Sequence, residues 1–308
     1  MEIDNKNIDL NLYRTFFFVA ETGSLSKAAE KLYVSQPSIS YSIKALESAL
    51  DVKLFNRTGK GVELTPEGKN LKFYVESAYN SLIVGERIIN TKLNHHMGGE
   101  LSIGVPSHIG VFFLSKFIQN FSNRYPNVKI HVTNRSTSSM IELLELHRLD
   151  LVIDATPIIG KNKKIIIEHI TDFDCCFAAH KNSKYYKDKK IFKVNELDSI
   201  PLILPGKSNN NRTAIDNHFA KYNIKLDPII EVSSTDLMID FVKRDMGVGY
   251  FIKDSIQEYL DTRLFEEIVL NHPLPSQEIA VAYIEEYITV AAKKFLEMFN
   301  DYGINIDL

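Results

Sequence analysis

One long helix divides this chain and constrains how the remainder can fold. The segment Thr65-Pro66-Glu67 is typical of a helix start, with an N-cap threonine, a proline at the first helical position and an acid near the positive helix end. Gly98-Gly99 is typical of a helix end. Residues 66–96 are therefore predicted to form a helix roughly 45 Å long. Its apolar residues recur at spacings of three or four, with Gly85 in one slot: Leu71, Val75, Ala78, Leu82, Ile89 and Leu93.

The apolar stripe of this helix favours a partner helix, because such a stripe is stabilised by packing against a second helix. We predict that residues 66–96 are a dimerisation helix; a single helix packed on its own domain is the alternative. Gly85 weakens the packing at one point of the stripe. His95 and His96 are adjacent and do not share a helix face, so we interpret them as cations at the helix end and not as metal ligands.

The length and composition indicate several domains. At 308 residues the chain is too long for one ordinary core, and 44% apolar and 24% charged residues are typical of a soluble globular protein. There is no run of 18 apolar residues, and the polar N-terminus lacks the pattern of a secretory signal, so we expect a cytoplasmic protein without a membrane partner. The net charge of −3 excludes a uniformly basic nucleic-acid binder, although residues 23–60 carry an excess of three positive charges.

The first 65 residues have the pattern of three helices and a hairpin. A first helix at about 12–22 ends at Gly23, and Ser24 is a plausible N-cap of a second helix, Leu25–Leu32. After a turn at Tyr33-Val34, Ser35 caps a third helix. Its buried stripe is predicted to consist of Ile39, Ile43, Leu46 and Leu50. Two strands then flank the turn Thr58-Gly59-Lys60-Gly61.

Two helices, a tight turn, a third helix with a polar face and a basic hairpin together describe a winged helix-turn-helix. Such a third helix enters the major groove, and basic residues on the wing contact phosphates. Each piece alone is more typical of an ordinary helix cap or a solvated surface, and only their order favours double-stranded DNA as a partner. The predicted DNA-binding residues are Ser24, Ser35, Gln36, Pro37, Ser38, Ser40, Tyr41, Lys44, Arg57 and Lys60.

From residue 99 onward, strand-like and helix-like segments alternate. Leu101–Val105, Val128–Thr133 and Asp150–Ala155 are predicted strands separated by helices, and a second set of strands and helices begins near Asp174. This alternation is typical of βαβ units in a largely parallel sheet. The final strand and helix, Ile279–Ile284 and Val290–Asn300, are expected to complete the first of the two sets.

The N-terminal residues closely resemble those of LysR-type transcriptional regulators. The agreement covers about 60 positions: Leu12–Phe16, Gly23–Ala29, Leu32, Ser35–Ser40, Ile43, Leu46-Glu47, Leu54–Arg57 and Leu64–Gly68. The resemblance implies a homodimer assembled through the long helix and usually paired again into a tetramer. RNA polymerase is a further candidate partner. It also implies an effector domain similar to periplasmic binding proteins, with two α/β lobes joined by two crossover strands. We therefore expect domains at 1–65, 66–96 and 99–308, with lobe 1 at about 99–168 and 270–308 and lobe 2 at about 169–269.

The resemblance further implies a small polar or anionic effector between the lobes. Ligands of open α/β sheets lie beyond the carboxyl ends of strands, where this chain places hydroxyls and free amides. The predicted effector-binding residues are Ser107, His108, Ser136, Thr137, Lys207, Ser208 and Ser234. Ser107 and Thr137 also match positions where the family places effector-contacting hydroxyls. Arg135, Lys207 and Arg212 are candidates to neutralise an anion, with plain surface charge as the alternative.

Other functions fit the sequence less well. An enzyme is disfavoured because the chain has no glycine-rich phosphate loop, no His-Glu-x-x-His and no nucleophile elbow. Zinc-ligand spacing is absent as well, so no metal and no cofactor are expected. A transport binding protein would match residues 99–308 but would carry a secretory signal, and a nucleoid-type DNA binder would have no effector. Cys175 and Cys176 are adjacent and badly placed to bridge each other; we interpret them as buried strand residues, with redox sensing as the alternative.

Overall fold

The computed structural model describes residues 8–59, 61–93, 98–185, 191–207, 209–304 and 306. The chain forms two compact units, Met1–Glu86 and Arg87–Leu308, which are described separately below. Within the described residues, no helix combines the length and apolar character needed to cross a membrane.

The first unit contains three short helices, a hairpin and the start of the long helix. These are α1 (Leu10–Thr22), α2 (Leu25–Leu32), α3 (Gln36–Leu50), β1 (Phe55–Thr58), β2 (Gly61–Leu64) and α4 (Pro66–Leu93). The antiparallel β1–β2 hairpin is the wing of a winged helix-turn-helix, as predicted from the sequence. The predicted end of α4 at residues 94–96 lies outside the described residues.

Gly23 allows the hairpin to approach the helices. It ends α1 with a left-handed backbone (φ 62°), and its carbonyl accepts a hydrogen bond from the Val62 N–H at 3.0 Å. A Cβ on Gly61, which has φ 141°, would lie 2.4 Å from the same carbonyl oxygen. Both glycines are therefore needed where the wing meets the α1–α2 turn.

Glu47 fixes the position of α3 relative to the wing. Its Oε1 accepts hydrogen bonds from the backbone N–H groups of Leu54 at 2.9 Å and Phe55 at 3.3 Å, and its Oε2 pairs with Lys53 at 2.9 Å. Burial alone would raise the pKa of Glu47, but these hydrogen bonds and the nearby ammonium outweigh it and hold the pKa below its ordinary value. The ionised carboxylate thus ties the base of the hairpin to the last turns of α3.

The second unit is a pair of α/β lobes, which confirms the predicted fold class. The lobe 1 sheet has the strand order β4-β3-β5-β12-β6, and β12 runs antiparallel to β5 and β6. Its strands are β3 (Gly99–Gly104), β4 (Val128–Thr133), β5 (Leu151–Ala155), β6 (Ile165–Phe173) and β12 (Gln277–Ile284). Its helices are α5 (Ser107–Ile109), which continues through a π-helical turn (Gly110–Leu114) into α6 (Ser115–Arg124), then α7 (Thr137–Glu145) and α11 (Val290–Asn300).

Lobe 2 repeats this plan with the strand order β11-β7-β10-β8-β9. Its strands are β7 (Cys175–His180), β8 (Leu202–Pro205), β9 (Ile230–Val232), β10 (Val248–Ile252) and β11 (Phe265–Ile268). Its helices are α8 (Asn210–Ala220), α9 (Thr235–Lys243) and α10 (Gln257–Asp261), with 3₁₀ turns at Val194–Ser199 and Lys253–Ile256.

The chain crosses between the lobes twice, once after Phe173 and once before Gln277. We predicted that lobe 2 begins at about 169, but β6 pairs with β12 as far as Phe173, so residues 169–173 belong to the lobe 1 sheet. This edge strand escaped prediction because its exposure is mixed and it lacks an apolar run. The strand β11 was missed as well.

Candidate functional site

The third helix presents a polar face away from the core. Ile39, Ile43 and Leu46 are buried against α1 and α2, as the spacing predicted. On the opposite side, Gln36, Pro37 and Lys44 are exposed, Tyr41 is 75% exposed and Ser40 is half-buried. A large aromatic side chain held in solvent on a rigid helix is available to contact a partner.

The predicted serines divide between capping and exposure. Ser24 caps α2 by accepting a hydrogen bond from the Lys27 N–H at 3.4 Å, and Ser35 caps α3 by accepting one from the Ser38 N–H at 3.3 Å. The hydroxyls of Ser35 and Ser38 also lie 2.8 Å apart on the surface. These three serines therefore have a local structural role: Ser24 stabilises the start of α2, and Ser35 and Ser38 stabilise the start of α3.

A groove of about 360 Å³ lies between α3 and the wing. Ser40, Lys44 and Arg57, all predicted DNA-binding residues, line it together. Gln36 and Tyr41 lie on the exposed face beside it, and the predicted Lys60 falls outside the described residues. Lys53 also lines the groove and was not predicted, although its charge next to the hairpin was a visible signal. Glu47 lines the groove as well and pairs with Lys53, so Lys44 and Arg57 supply the net positive charge that favours a polyanion.

Tyr33 is a second residue that the sequence interpretation did not single out. It forms the turn between α2 and α3 with a left-handed backbone (φ 55°), and its side chain is 96% exposed. Its neighbour Val34 is 48% exposed. An aromatic residue at a turn position that favours glycine or asparagine is unusual, and that was the signal available in the sequence.

A cleft of about 450 Å³ lies between the two lobes, at the carboxyl ends of strands from both sheets. Five of the predicted effector-binding residues line it: Ser107, His108, Ser136, Thr137 and Ser234. These side chains come from the segments that follow β3, β4 and β9. Arg135 lines the cleft as well and is exposed. Parallel strands place these distant segments side by side because their carboxyl ends share one edge.

The structure places the remaining predicted residues elsewhere. Lys207 is exposed on the loop after β8 and does not line the cleft, whereas its neighbours Gly206 and Asn209 do. Ser208 lies outside the described residues. Arg212 is neither of the two things that its sequence suggested, an anion-neutralising group or a surface charge, because its guanidinium is buried in lobe 2. It donates to the Pro205 carbonyl at 3.1 Å, to Asp216 at 2.8 Å and to Glu231 at 2.9 Å.

Asp154 is the cleft residue that the sequence interpretation missed. It is the penultimate residue of the buried strand β5, is 3% exposed, and accepts hydrogen bonds from the Thr137 hydroxyl at 2.6 Å and the Ala155 N–H at 2.7 Å. Burial raises the pKa of this carboxyl to about 6, against the lowering effect of the two hydrogen bonds. An aspartate inside the apolar run Leu151–Ala155 was the available signal, since buried acids are rare unless they have a partner.

His108 and Asn211 bring unsatisfied polar atoms to the same cleft. Within the described residues, His108 Nε2 and Asn211 Oδ1 are buried without a hydrogen-bond partner, and both side chains line the cleft. Burial lowers the pKa of His108 to about 4, and Asp236 opposes this shift. The imidazole is therefore neutral at physiological pH. Buried polar atoms without partners are uncommon in native proteins and mark places where a ligand group or water binds.

Asn210 connects the lobes directly across the cleft. Its Nδ2 donates to the Ala155 carbonyl at 2.6 Å and to the Pro157 carbonyl at 3.2 Å, both in lobe 1. The start of α8 in lobe 2 therefore lies beside the end of β5, where Asp154 is located. In lobe 1, Asn134 Nδ2 donates to the Ser107 hydroxyl, which joins the loops that follow β3 and β4.

The two cysteines lie on opposite sides of the lobe 2 sheet. Both are free and buried, and they belong to different apolar clusters, Cys175 with Phe177 and Cys176 with Ala178. Burial raises the pKa of Cys175 to about 11 and that of Cys176 further. Thiols in this state are poor nucleophiles. Across the described ranges, His, Cys, Asp and Glu side chains form no group of three or more that would hold a metal ion.

Comparison with known proteins gives two family matches that together cover most of the chain. Residues 10–69 match the family described as bacterial regulatory helix-turn-helix protein, lysR family, and residues 94–303 match the LysR substrate binding domain. The chain is 25% identical over 293 residues to the HTH-type transcriptional activator CmpR of Synechocystis sp., covering 95% of both proteins. It is 23% identical to the HTH-type transcriptional regulator BsdA of Bacillus subtilis, covering 95% of this chain and 100% of that protein.

Solved structures share the fold over nearly the whole length. A full-length OxyR variant from Pseudomonas aeruginosa matches with a TM-score of 0.70 at 19% identity, over 96% of this chain and 94% of that one. The LysR family regulator CbnR, in a complex of the full-length protein with its target DNA, matches with a TM-score of 0.66 at 18% identity, over 95% of this chain and 99% of that one.

Proposed function

This chain belongs to the LysR family of DNA-binding transcriptional regulators, and we propose that the outward face of α3 contacts the bases of its DNA site. As a member of this family it binds DNA, works as an oligomer and carries an effector-binding domain. We place the protein in the cytoplasm together with the DNA and assign it no enzymatic reaction.

The exposed face of α3 is the observation that carries this proposal. Gln36 and Tyr41 are exposed on a helix whose other face is buried, so the backbone that carries them is in place before DNA binds. A glutamine amide can donate and accept at an adenine edge in the major groove, and an aromatic ring can contact a thymine methyl group. Lys44 and Arg57, beside the groove between α3 and the wing, are suited to phosphates.

Residues that contact bases are distinguished from those that contact phosphates by the loss of affinity for the specific DNA site relative to random DNA. We expect Gln36→Ala and Tyr41→Ala each to weaken binding to the specific site about 5- to 100-fold, with a much smaller effect on random DNA. The site is first selected from genomic fragments with the wild-type protein, and affinities are then measured by fluorescence anisotropy at one salt concentration.

Tyr222→Ala is the matched control, because Tyr222 is an exposed tyrosine (39%) in lobe 2, outside the first unit and outside α4. It should leave the ratio of specific to random affinity unchanged. Equal losses on specific and random DNA for Gln36→Ala and Tyr41→Ala would contradict the proposed role of α3 in contacting bases.

We also propose that α4 contacts its counterpart in a second copy of the chain. Leu82 and Ile89 are 66% and 61% exposed, although both belong to the apolar stripe of the helix. At Gly85 a side-chain Cβ would meet open space, so no part of its own unit covers the stripe there. Exposed apolar residues in one stripe of a long helix favour a partner helix.

The cleft between the lobes is proposed as the effector site. Its volume of about 450 Å³ is in the range for small metabolites, and polar side chains from both lobes converge on it. Because Asn210 already bridges the lobes at this point, a ligand bound there contacts both lobes and is able to shift their relative position.

A further inference from the structure

We propose that the cleft binds a small molecule that carries a protonated amine, and that this amine pairs with the carboxylate of Asp154. This inference rests on the proposed effector site and specifies the chemical class of its ligand. A purely anionic metabolite, which the family resemblance implies, would not use this carboxylate.

Asp154 has acceptor capacity that its own lobe does not fill. Thr137 donates to Oδ2 and the Ala155 N–H donates to Oδ1, whereas an ionised carboxylate offers about four acceptor positions. Among the described residues, no lysine, arginine or histidine forms an ion pair with it. A buried carboxylate without a cation is costly, and a cationic ligand group would lower that cost.

Asn211 brings an unsatisfied acceptor to the same cleft from the other lobe. Asn211 is 7% exposed and its Oδ1 has no hydrogen-bond partner within the described residues. Asn210, the preceding residue, is hydrogen-bonded to Ala155, so this part of α8 faces the end of β5. The neutral imidazole of His108 adds a further polar atom, and it does not compete as a cation for Asp154. A protonated amine supplies three donors and no acceptor, which suits this set.

The charges along the cleft agree with this assignment. The charged side chains that line it in the described ranges are Asp154, Asp236 and Arg135, two acids and one base. The starts of α7, α8 and α9 also line the cleft and favour one carboxylate, whereas the two acids disfavour a second negative charge. A zwitterion such as an amino acid would place its carboxylate toward Arg135 and its amine on Asp154, whereas a polyamine would use the two acids.

Thermal unfolding of the full chain with matched sets of probes tests the proposal. The sets are the common amino acids, the polyamines putrescine and spermidine, the 2-oxo acids that correspond to the amino acids, and simple dicarboxylates. We expect a compound from one of the amine sets to raise the unfolding temperature, because a ligand that binds the folded state stabilises it. The corresponding oxo acid, which lacks the amine, should not. The amino acid and polyamine sets distinguish the two sources of the amine.

Asp154→Asn should weaken binding of that compound about 10- to 100-fold, because the charge-assisted hydrogen bond is lost while the shape is kept. Asp172→Asn, at an exposed acid on β6 outside the cleft, is the matched control and should keep wild-type affinity. A circular dichroism spectrum like that of wild type confirms that the Asp154→Asn variant is folded.

Stabilisation by oxo acids or dicarboxylates alone would overturn the amine assignment and leave the effector site standing. An amine compound that binds Asp154→Asn as tightly as wild type would overturn the role of Asp154. If no compound of any set raises the unfolding temperature while DNA binding is intact, both the amine ligand and the effector site are contradicted.

Discussion

The two units expose their functional side chains in opposite ways. In the first unit Gln36, Tyr41 and Lys44 stand on one continuous helix and face solvent. In the second unit the cleft is assembled from six separate segments of the chain, and its central residues Asp154 and Asn211 are buried. A long polyanion is contacted by a surface, so little burial is needed. A small molecule must be enclosed, and enclosure perturbs the groups that hold it, as the raised pKa of Asp154 and the lowered pKa of His108 show.

The units also differ in the size of their cores. The fully or nearly buried apolar residues described in the first unit are few: Phe16, Val19, Ala28, Ala29, Ile39, Ile43, Leu46, Leu54, Val75 and Val84. The second unit has several such clusters around two sheets, with stacked rings such as Phe117 and Phe299 at 4.4 Å. A domain with a small core has a small margin of stability, so one large cavity should unfold it.

The largest expected effect therefore compares the same substitution in the two cores. Phe16 and Phe299 are both 0% exposed, and Phe→Ala at either site should cost about 3–5 kcal/mol. Because Phe16 also packs on Phe55 of the wing, with ring centroids 5.3 Å apart, we expect Phe16→Ala to abolish DNA binding. Phe299→Ala should lower the unfolding temperature of the second unit and leave it folded. Circular dichroism and DNA anisotropy measure both outcomes.

Phe16→Leu serves as the conservative control and should retain DNA binding with a smaller loss of stability. Survival of DNA binding in Phe16→Ala, or complete unfolding of the second unit by Phe299→Ala, would show that the two cores do not differ in the way described.

An intermediate effect on stability is expected for Asp154, which is buried, whereas the polar side chains on the outward face of α3 are exposed. Burial raises its pKa in the folded state from 3.8 to about 6, so its protonated form stabilises the fold. That stability is present below pH 3.8 and is lost as the pH rises through 6. Asp154→Asn does not titrate. The stability of the variant relative to wild type should therefore increase by about 1 to 1.5 kcal/mol between pH 5 and pH 8.

Denaturant unfolding at several pH values measures this difference. His108, whose neutral form is favoured by burial, titrates in the same range in both proteins, so its contribution cancels in the comparison. A pH-independent difference between the two proteins would show that the Asp154 carboxyl is not perturbed by burial. If Asp154→Asn is more stable than wild type but binds the ligand more weakly, Asp154 contributes to function at a cost in stability.

The smallest expected effect concerns Arg57, an exposed charge on the wing. Arg57→Ala should weaken binding to all DNA sequences by a few-fold and reduce the slope of log affinity against log salt by about 0.9, the loss of one phosphate contact. Arg244→Ala removes an exposed arginine of the second unit, paired with Asp240 at 2.8 Å, and should leave the slope unchanged. Equal slopes for Arg57→Ala and wild type would remove Arg57 from the phosphate contacts.

The accuracy of the sequence interpretation follows the same division between the units. The helices of the first unit and the buried stripe of α3 were predicted closely, because capping residues, Gly23 and apolar spacing act within a few residues of each other. The strand ends that line the cleft were predicted as well. The strands β6 and β11 were missed, since their pairing partners lie far away in the chain and their own patterns are mixed.

The sequence by itself determined where the helices and most of the strands form, which face of α3 is apolar, and that the second unit is built from βαβ repeats. Only the tertiary structure decided that Arg212 is enclosed by Asp216 and Glu231, that Asp154 lies at the cleft, and that Asn210 connects the lobes. The physical reason is the distance along the chain over which each property is decided. Helix and strand formation depends on neighbouring residues, whereas the burial and partners of a polar side chain depend on segments that meet after the sheets have formed.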